Sequence, residues 1–177
     1  MEKTIFTVTQ FGKALAKSKY QWNEETRAFS SEENHLVLDF SEVDGCTINA
    51  GSHCVFKSGK DCSFNTGPGC TFYTKANCEF NTEHWCYFNT EPLCIFNTRD
   101  ACTFDVGHAC TITTGKESVI VRRGGVFEVI QPEPFQTIKL NGDKTLGYEV
   151  VESSKKPFSG KTISITIDGQ QYEAAIK

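Results

Sequence analysis

The stretch Cys62-Ser63-Phe64-Asn65-Thr66-Gly67-Pro68-Gly69-Cys70-Thr71-Phe72 decides the fold of this chain. It holds one complete eight-residue unit, Cys-x-Phe-Asn-Thr-Gly-x-x, and the start of the next. In both directions the cysteine returns at every eighth position: Cys46, Cys54, Cys62, Cys70, Cys78, Cys86, Cys94, Cys102 and Cys110, and nowhere else in 177 residues. Two positions later stand Phe56, Phe64, Phe72, Phe80, Phe88, Phe96 and Phe104, with Ile48, Ile112 and Ile120 in the same register. Such regularity is internal repetition, and it outranks any local propensity.

Within a unit the chemistry alternates. Position 1 is Cys and position 3 is Phe or Ile. Position 5 is small or β-branched, as in Ala50, Thr66, Thr82 and Val106. Positions 2 and 4 vary and are mostly polar. Period-two alternation over five residues predicts a strand with one buried face. Gly51, Gly59, Gly67, Gly107 and Gly115 at position 6 suggest a turn of positive φ. Lys75, Glu83, Glu91 and Arg99 replace that glycine, which implies another turn or a cost of ~1 kcal/mol each. Eight residues suffice for one strand and one corner. The expected fold is all-β: a parallel β-helix, or β-solenoid, with coils ~4.8 Å apart. Two units per coil are favoured, giving about five coils and a length of roughly 24 Å; three per coil is the alternative. Right-handed winding is the default for parallel crossovers.

Three uses of the cysteines compete. A disulfide framework leaves one of nine thiols unpaired, and stacked Cβ atoms ~4.8 Å apart exceed the usual disulfide spacing. A zinc site needs four ligands converging on a point, whereas a ladder runs parallel. The favoured reading is a buried stripe of small apolar thiols, which suits a reducing compartment. No cofactor or metal is expected.

The outer segments divide the chain into residues 1–35, 36–130 and 131–177. In the first, Thr4 to Val8 reads as a strand and Phe11 to Lys19 as a short helix. Tyr20-Gln21-Trp22 and Arg27-Ala28-Phe29 read as a hairpin around Asn23-Glu24-Glu25. These elements form an expected α/β cap. The array is extended back to Leu38-Asp39-Phe40, placing Leu38 in the cysteine column and Phe40 in the phenylalanine column. It runs on to Gly125, after which Glu128 takes the phenylalanine position. Beyond it, Val126 to Ile130 is a strand and Gln131 to Pro134 a linker. Thr137–Leu140 turns through Asn141-Gly142 towards Leu146–Val151. Ile163–Ile167 turns through Asp168-Gly169 into Tyr172–Ile176, the clearest hairpin signal. This small β-module suggests a cap, a docking unit or a route to a homo-oligomer.

The tracts Cys62-Ser-Phe-Asn-Thr-Gly, Cys86-Tyr-Phe-Asn-Thr and Cys94-Ile-Phe-Asn-Thr, with the flanks Leu36-Val-Leu-Asp-Phe40 and Val119-Ile-Val-Arg-Arg123, resemble the Cys-x-Phe-Asn-Thr-Gly octapeptide-repeat proteins. That family is encoded largely in phage and prophage genomes. The resemblance covers about residues 13 to 130. It implies a β-helix and a phage-type origin, and no activity.

Composition narrows the function. A net charge of −4 argues against a protein that coats nucleic acid. No apolar run approaches ~20 residues, and no secretory leader follows Met1, so the expected location is a host cytoplasm or a virion rather than a membrane. There is no phosphate loop, HExxH or nucleophile elbow. His53 and His108 sit near Cys54 and Cys110, but on corners facing water while the thiols face inward. The expected protein is therefore not an enzyme.

The most informative irregularity is central. Tyr73, Trp85, Tyr87, Leu93 and Ile95 place bulky apolar groups at outward positions. They form the candidate interaction patch, for a protein partner that is either another copy or a host or virion protein. A rigid, non-enzymatic interaction or assembly element follows. The alternative is a DNA-mimic inhibitor of a host nucleic-acid enzyme. Against it, residues 46–117 carry five Lys/Arg and seven Asp/Glu, far short of a dense anionic column.

Overall fold

The computed structural model describes residues 5–151 in full and the backbone of 162–167 and 170–175. Units alternate between two walls, so a coil holds two units and sixteen residues. One wall stacks the parallel strands Leu36–Phe40, Val55–Ser58, Thr71–Thr74, Tyr87–Thr90, Thr103–Val106 and Val119–Arg122. The facing wall stacks Ala28–Ser30, Thr47–Ala50, Ser63–Thr66, Glu79–Thr82, Ile95–Asn97 and Thr111–Thr113. Each wall therefore carries six parallel rungs, a β-solenoid of about six coils. In the array Phe80 pairs with Phe64 and Phe96, and Phe88 with Phe72 and Phe104.

The core is a herringbone of rings. Along a wall each ring stacks on the next, as in Phe64–Phe80 at 5.0 Å and 4° or Phe72–Phe88 at 5.0 Å and 5°. Across the walls they meet edge to face, as in Phe72–Phe80 at 5.1 Å and 75°. Both geometries suit the ring quadrupole. All seven phenylalanines of the array are buried, as are all nine cysteines. Each such ring contributes about 2–3 kcal/mol through burial alone.

The thiols are free. The Cys46 and Cys62 sulfurs lie 3.2 Å apart, in hydrogen-bond contact and not bonded. They are more than filler. The Cys62 thiol reaches the carbonyls of Lys60 at 3.3 Å and Val43 at 3.5 Å, and the Cys102 thiol those of Glu83 and Asp100. Each thus offers a weak donor to corner carbonyls that face the core. The hydrogen bond with Cys110, opposed by that with Cys78 and joined by burial, pushes the Cys94 thiol up to about 11. Cys46 is driven higher by its hydrogen bond with Cys62 and by burial, while Cys62, hydrogen-bonded to Cys46 and Cys78, is drawn the other way. Along the column the neighbouring thiol sets the direction of each shift first, with Cys54, Cys62, Cys86 and Cys110 lowered and the others raised, while burial works against the thiolate throughout.

Three expectations about local structure are corrected. The positive φ falls on the residue before each cysteine: Gly45, His53, Asp61, Gly69, Asn77, Trp85, Leu93, Ala101 and Ala109, at +55° to +71°. There the amide turns along the stack, as in Trp85 N–H to the Asp100 carbonyl at 3.1 Å and Leu93 N–H to that of His108 at 3.2 Å. The position-6 glycines serve close approach instead. A Cβ on Gly59 would lie 2.1 Å from the Asp44 carboxylate, which accepts the Lys60 N–H at 2.9 Å. Asp100 sits in the same way over Gly115 and accepts from Lys116. Since position 6 has no positive φ, the charged residues there carry no left-handed penalty.

The second correction is register. Leu38 pairs with Phe56 and Phe40 with Ser58, so Leu36 stands in the cysteine column and Phe40 at position 5. The Ser41–Gly45 corner is two residues longer than the three-residue corners between the cysteine units. Thirdly, Phe11 to Lys19 forms no α-helix. It is a turn, the two-residue strand Lys13–Ala14 and one 3₁₀ turn, Lys17–Lys19. The hairpin of Gln21–Asn23 with Ala28–Ser30 is present, and its second strand doubles as the first rung of the array.

Both ends are closed by antiparallel strands. Thr7–Gln10 pairs with Leu36–Phe40 at one end. At the other, Glu128–Ile130 covers Val119–Arg122, while Thr137–Leu140 covers Thr111–Thr113 and carries Tyr148–Val150 outside it. Thr162–Ile167 and Gln170–Ala175 pair as the expected hairpin in a sheet of their own. Its Asp168-Gly169 turn, like Thr4 and Ile176, lies outside the described residues.

Candidate interaction surface

The interior is filled by repeat side chains, so the usable chemistry is on the outside. On the first wall the outward positions of successive units are Val55 and Lys57, Thr71 and Tyr73, Tyr87 and Asn89, Thr103 and Asp105. Tyr73 and Tyr87 lie on adjacent strands with ring centroids 6.4 Å apart. Trp85 stands on the corner that leads into the Tyr87 strand, its ring edge-on to His84 at 4.4 Å. Leu93 and Ile95 occupy the opposite corner and the second wall. The five residues therefore divide into a group of three and a group of two on opposite sides.

Two of them stand out in backbone terms. The left-handed corner position is filled elsewhere in the array by Gly, His, Asp, Asn, Ala or Glu. At Trp85 and Leu93 it carries large apolar side chains, with φ of 60° and 66°. That conformation costs an L-residue about 1–2 kcal/mol, and a bulky one is an outlier there. The same geometry throws the side chain outward, leaving Trp85 65% and Leu93 54% exposed.

The second wall has a different character. Its position-4 residues form a column, Asn49, Asn65, Asn81 and Asn97, with the Asn65 amide donating to Asn49 at 3.0 Å and that of Asn97 to Asn81 at 3.3 Å. A shallow groove of about 490 Å³ runs beside it, lined by Asn65, Asn81, Asn97, Glu83, Arg99 and Phe135. The sixteen-residue spacing of these asparagines was visible in the sequence, but position 4 mixes both walls and hid the column.

Among the described residues no three or more His, Cys, Asp and Glu side chains converge on a point. The described corner imidazoles His35 and His53 stack on each other at 5.2 Å. No helix among the described residues is long and apolar enough to cross a membrane. No protein family, curated protein or solved structure matches the chain at a significant level.

Proposed function

We propose that this chain is a non-enzymatic interaction element of phage type, a stiff β-solenoid that presents Trp85, Tyr73 and Tyr87 to a protein partner. The observation that carries the reading is Trp85: a large apolar ring held outward in a strained corner conformation. Strain and exposure both oppose folding, and such outliers point towards function. Tyr and Trp supply contact area at low entropic cost, and a stacked-rung scaffold loses little freedom on binding. The resemblance of the Cys-x-Phe-Asn-Thr tracts to octapeptide-repeat proteins supports the phage-type origin.

The test is capture from host lysate by the immobilised full chain, compared with Trp85→Ala/Tyr87→Ala and with Leu93→Ala/Ile95→Ala. Specific capture is expected to be lost by more than tenfold in the first variant and kept in the second. Equal capture by all three overturns the assignment of the surface.

A further inference from the structure

The two ends of the solenoid are capped differently, and the C-terminal cap leaves apolar side chains of its outermost strand exposed. At the N-terminal end Phe6 stacks on Phe40 at 4.4 Å and 10°, with Trp22 4.9 Å from Phe6 and Tyr20 stacked on Phe29 at 5.5 Å. The edge strands there are short and polar: Lys13–Ala14, and Gln21–Asn23 with Trp22 turned onto the plug. Short strands and lysines are what native sheets use to blunt an edge.

At the C-terminal end the last rungs are Glu128–Ile130 and Tyr148–Val150. Nothing described pairs with their outer edges. Tyr148 and Val150 stand in register with Leu140 and Ile138, which are buried, yet they are 39% and 50% exposed. They belong to the interior face of a coil that has no further coil beneath it. Leu146 and Val151, which flank Tyr148 and Val150 in sequence, are exposed as well, as are Phe127 and Val129 on the other terminal strand. Exposed apolar side chains beside open strand edges make a contact surface.

The same chain supplies a second element whose described strands have no further strand partner. Thr162–Ile167 and Gln170–Ala175 pair only with each other. In sequence Ile163, Ile165 and Ile167 alternate with Thr162, Ser164 and Thr166, and the register sets Ile163 opposite Ala174 and Ile165 opposite Tyr172. A two-stranded hairpin with one apolar set is marginal alone in water and needs a cover. In the described backbone the hairpin forms no ladder with the open rung, and Tyr148 and Val150 of that rung are exposed.

We infer that they meet across two copies: the C-terminal hairpin of each chain packs on the terminal rung of the other, giving a two-fold, tail-to-tail dimer. The N-terminal edge strands are short and polar and pair poorly with the C-terminal rung, so the contact is self-complementary and closes at two instead of growing into a filament. This interface is separate from the lateral surface around Trp85.

Light scattering on the full chain after size exclusion tests it. The expected mass is twice the 19.7 kDa of one chain. Ile165→Lys and, separately, Val150→Lys are expected to give the single-chain mass with an unchanged far-UV spectrum. Ile165→Val should keep the dimer, and so should Trp85→Ala/Tyr87→Ala, which separates this interface from partner capture. A wild-type chain of single mass overturns the inference, and hairpin amides protected from exchange in that monomer would assign the cover to the chain's own hairpin. A dimer that survives both lysine variants, or a larger assembly, overturns it as well.

Discussion

The N-terminal and C-terminal ends of this solenoid solve one problem with opposite chemistry. A repeat buries its rings only against the next repeat, so the first and last coils each leave a bare cross-section. The N-terminal end fills it with rings that lie outside the eight-residue pattern: Phe6 and Trp22 close over Phe40, and Tyr20 over Phe29. The C-terminal end uses an ion pair. Arg122 occupies position 5 of the last unit, above Val106, and is fully buried. It donates to the carbonyls of Thr145 at 2.7 Å, Asn141 at 3.4 Å and Gly147 at 3.5 Å, and meets Glu128 at 3.4 Å. Glu128 in turn accepts the Gly147 N–H at 3.0 Å. An apolar plug stabilises without specifying a geometry, whereas a buried charge tolerates few arrangements. The cap that must hold one fixed outer face is the one built on the charge.

Substitutions at the two ends can break this contrast. Phe40→Ala should have the largest effect, about 3–5 kcal/mol, because a fully buried ring is replaced by a cavity. Chemical denaturation of the full chain measures it, and a loss under about 1 kcal/mol would mean that the aromatic plug does not seal the end. Arg122→Ala should cost about 3 kcal/mol, the lower end for removing one partner of a buried pair, since Glu128 keeps some contact with water. The double variant Arg122→Leu/Glu128→Leu should recover most of that loss. If it does not, the carbonyl contacts of Arg122 matter more than its charge. The smallest effect is expected at the joint between cap and array. Asn34 reaches over Gly51, where a Cβ would lie 2.3 Å from its side-chain oxygen and 2.8 Å from the Glu33 carbonyl. Gly51→Ala should therefore cost about 1–3 kcal/mol, read as a shift in the thermal midpoint. An unchanged midpoint would show that this corner moves aside freely.

The eight-residue period made the rungs, the inward Cys, Phe and Thr columns and the terminal hairpin legible, because those features depend only on spacing and alternation. The phase of the first coil was not. Leu36, Leu38 and Phe40 are three alternate apolar residues, and local pattern cannot say which of them stands over Cys54 and which over Phe56. Pairing with the next coil decides it, and the longer Ser41–Gly45 corner absorbs the two-residue difference. The left-handed corner position was hidden for another reason. Glycine normally marks positive φ, yet this site holds His53, Trp85 or Leu93, while the conspicuous glycines at position 6 answer a steric demand from the coil before. In the candidate surface, the exposed residues were readable one by one. Their division between two sides follows from the two-unit coil, and the strain at Trp85 exists only in the backbone. Arg122 gave no signal at all, since an arginine after a hydrophobic strand ordinarily marks a solvated end.

The arrangement of two units per coil has a genetic corollary. The inner columns repeat every eight residues, because both walls use the same Cys, Phe and Thr, but the outer columns repeat every sixteen. Loss or duplication of sixteen residues would shorten or lengthen the rod and leave each flank its own chemistry. A change of eight would leave the interior as well filled as before while transposing everything downstream to the opposite flank, asparagine column and C-terminal cap included. Length and surface display can therefore drift independently in this molecule, and an ordinary recombination slip at one repeat border is enough to exchange its two faces.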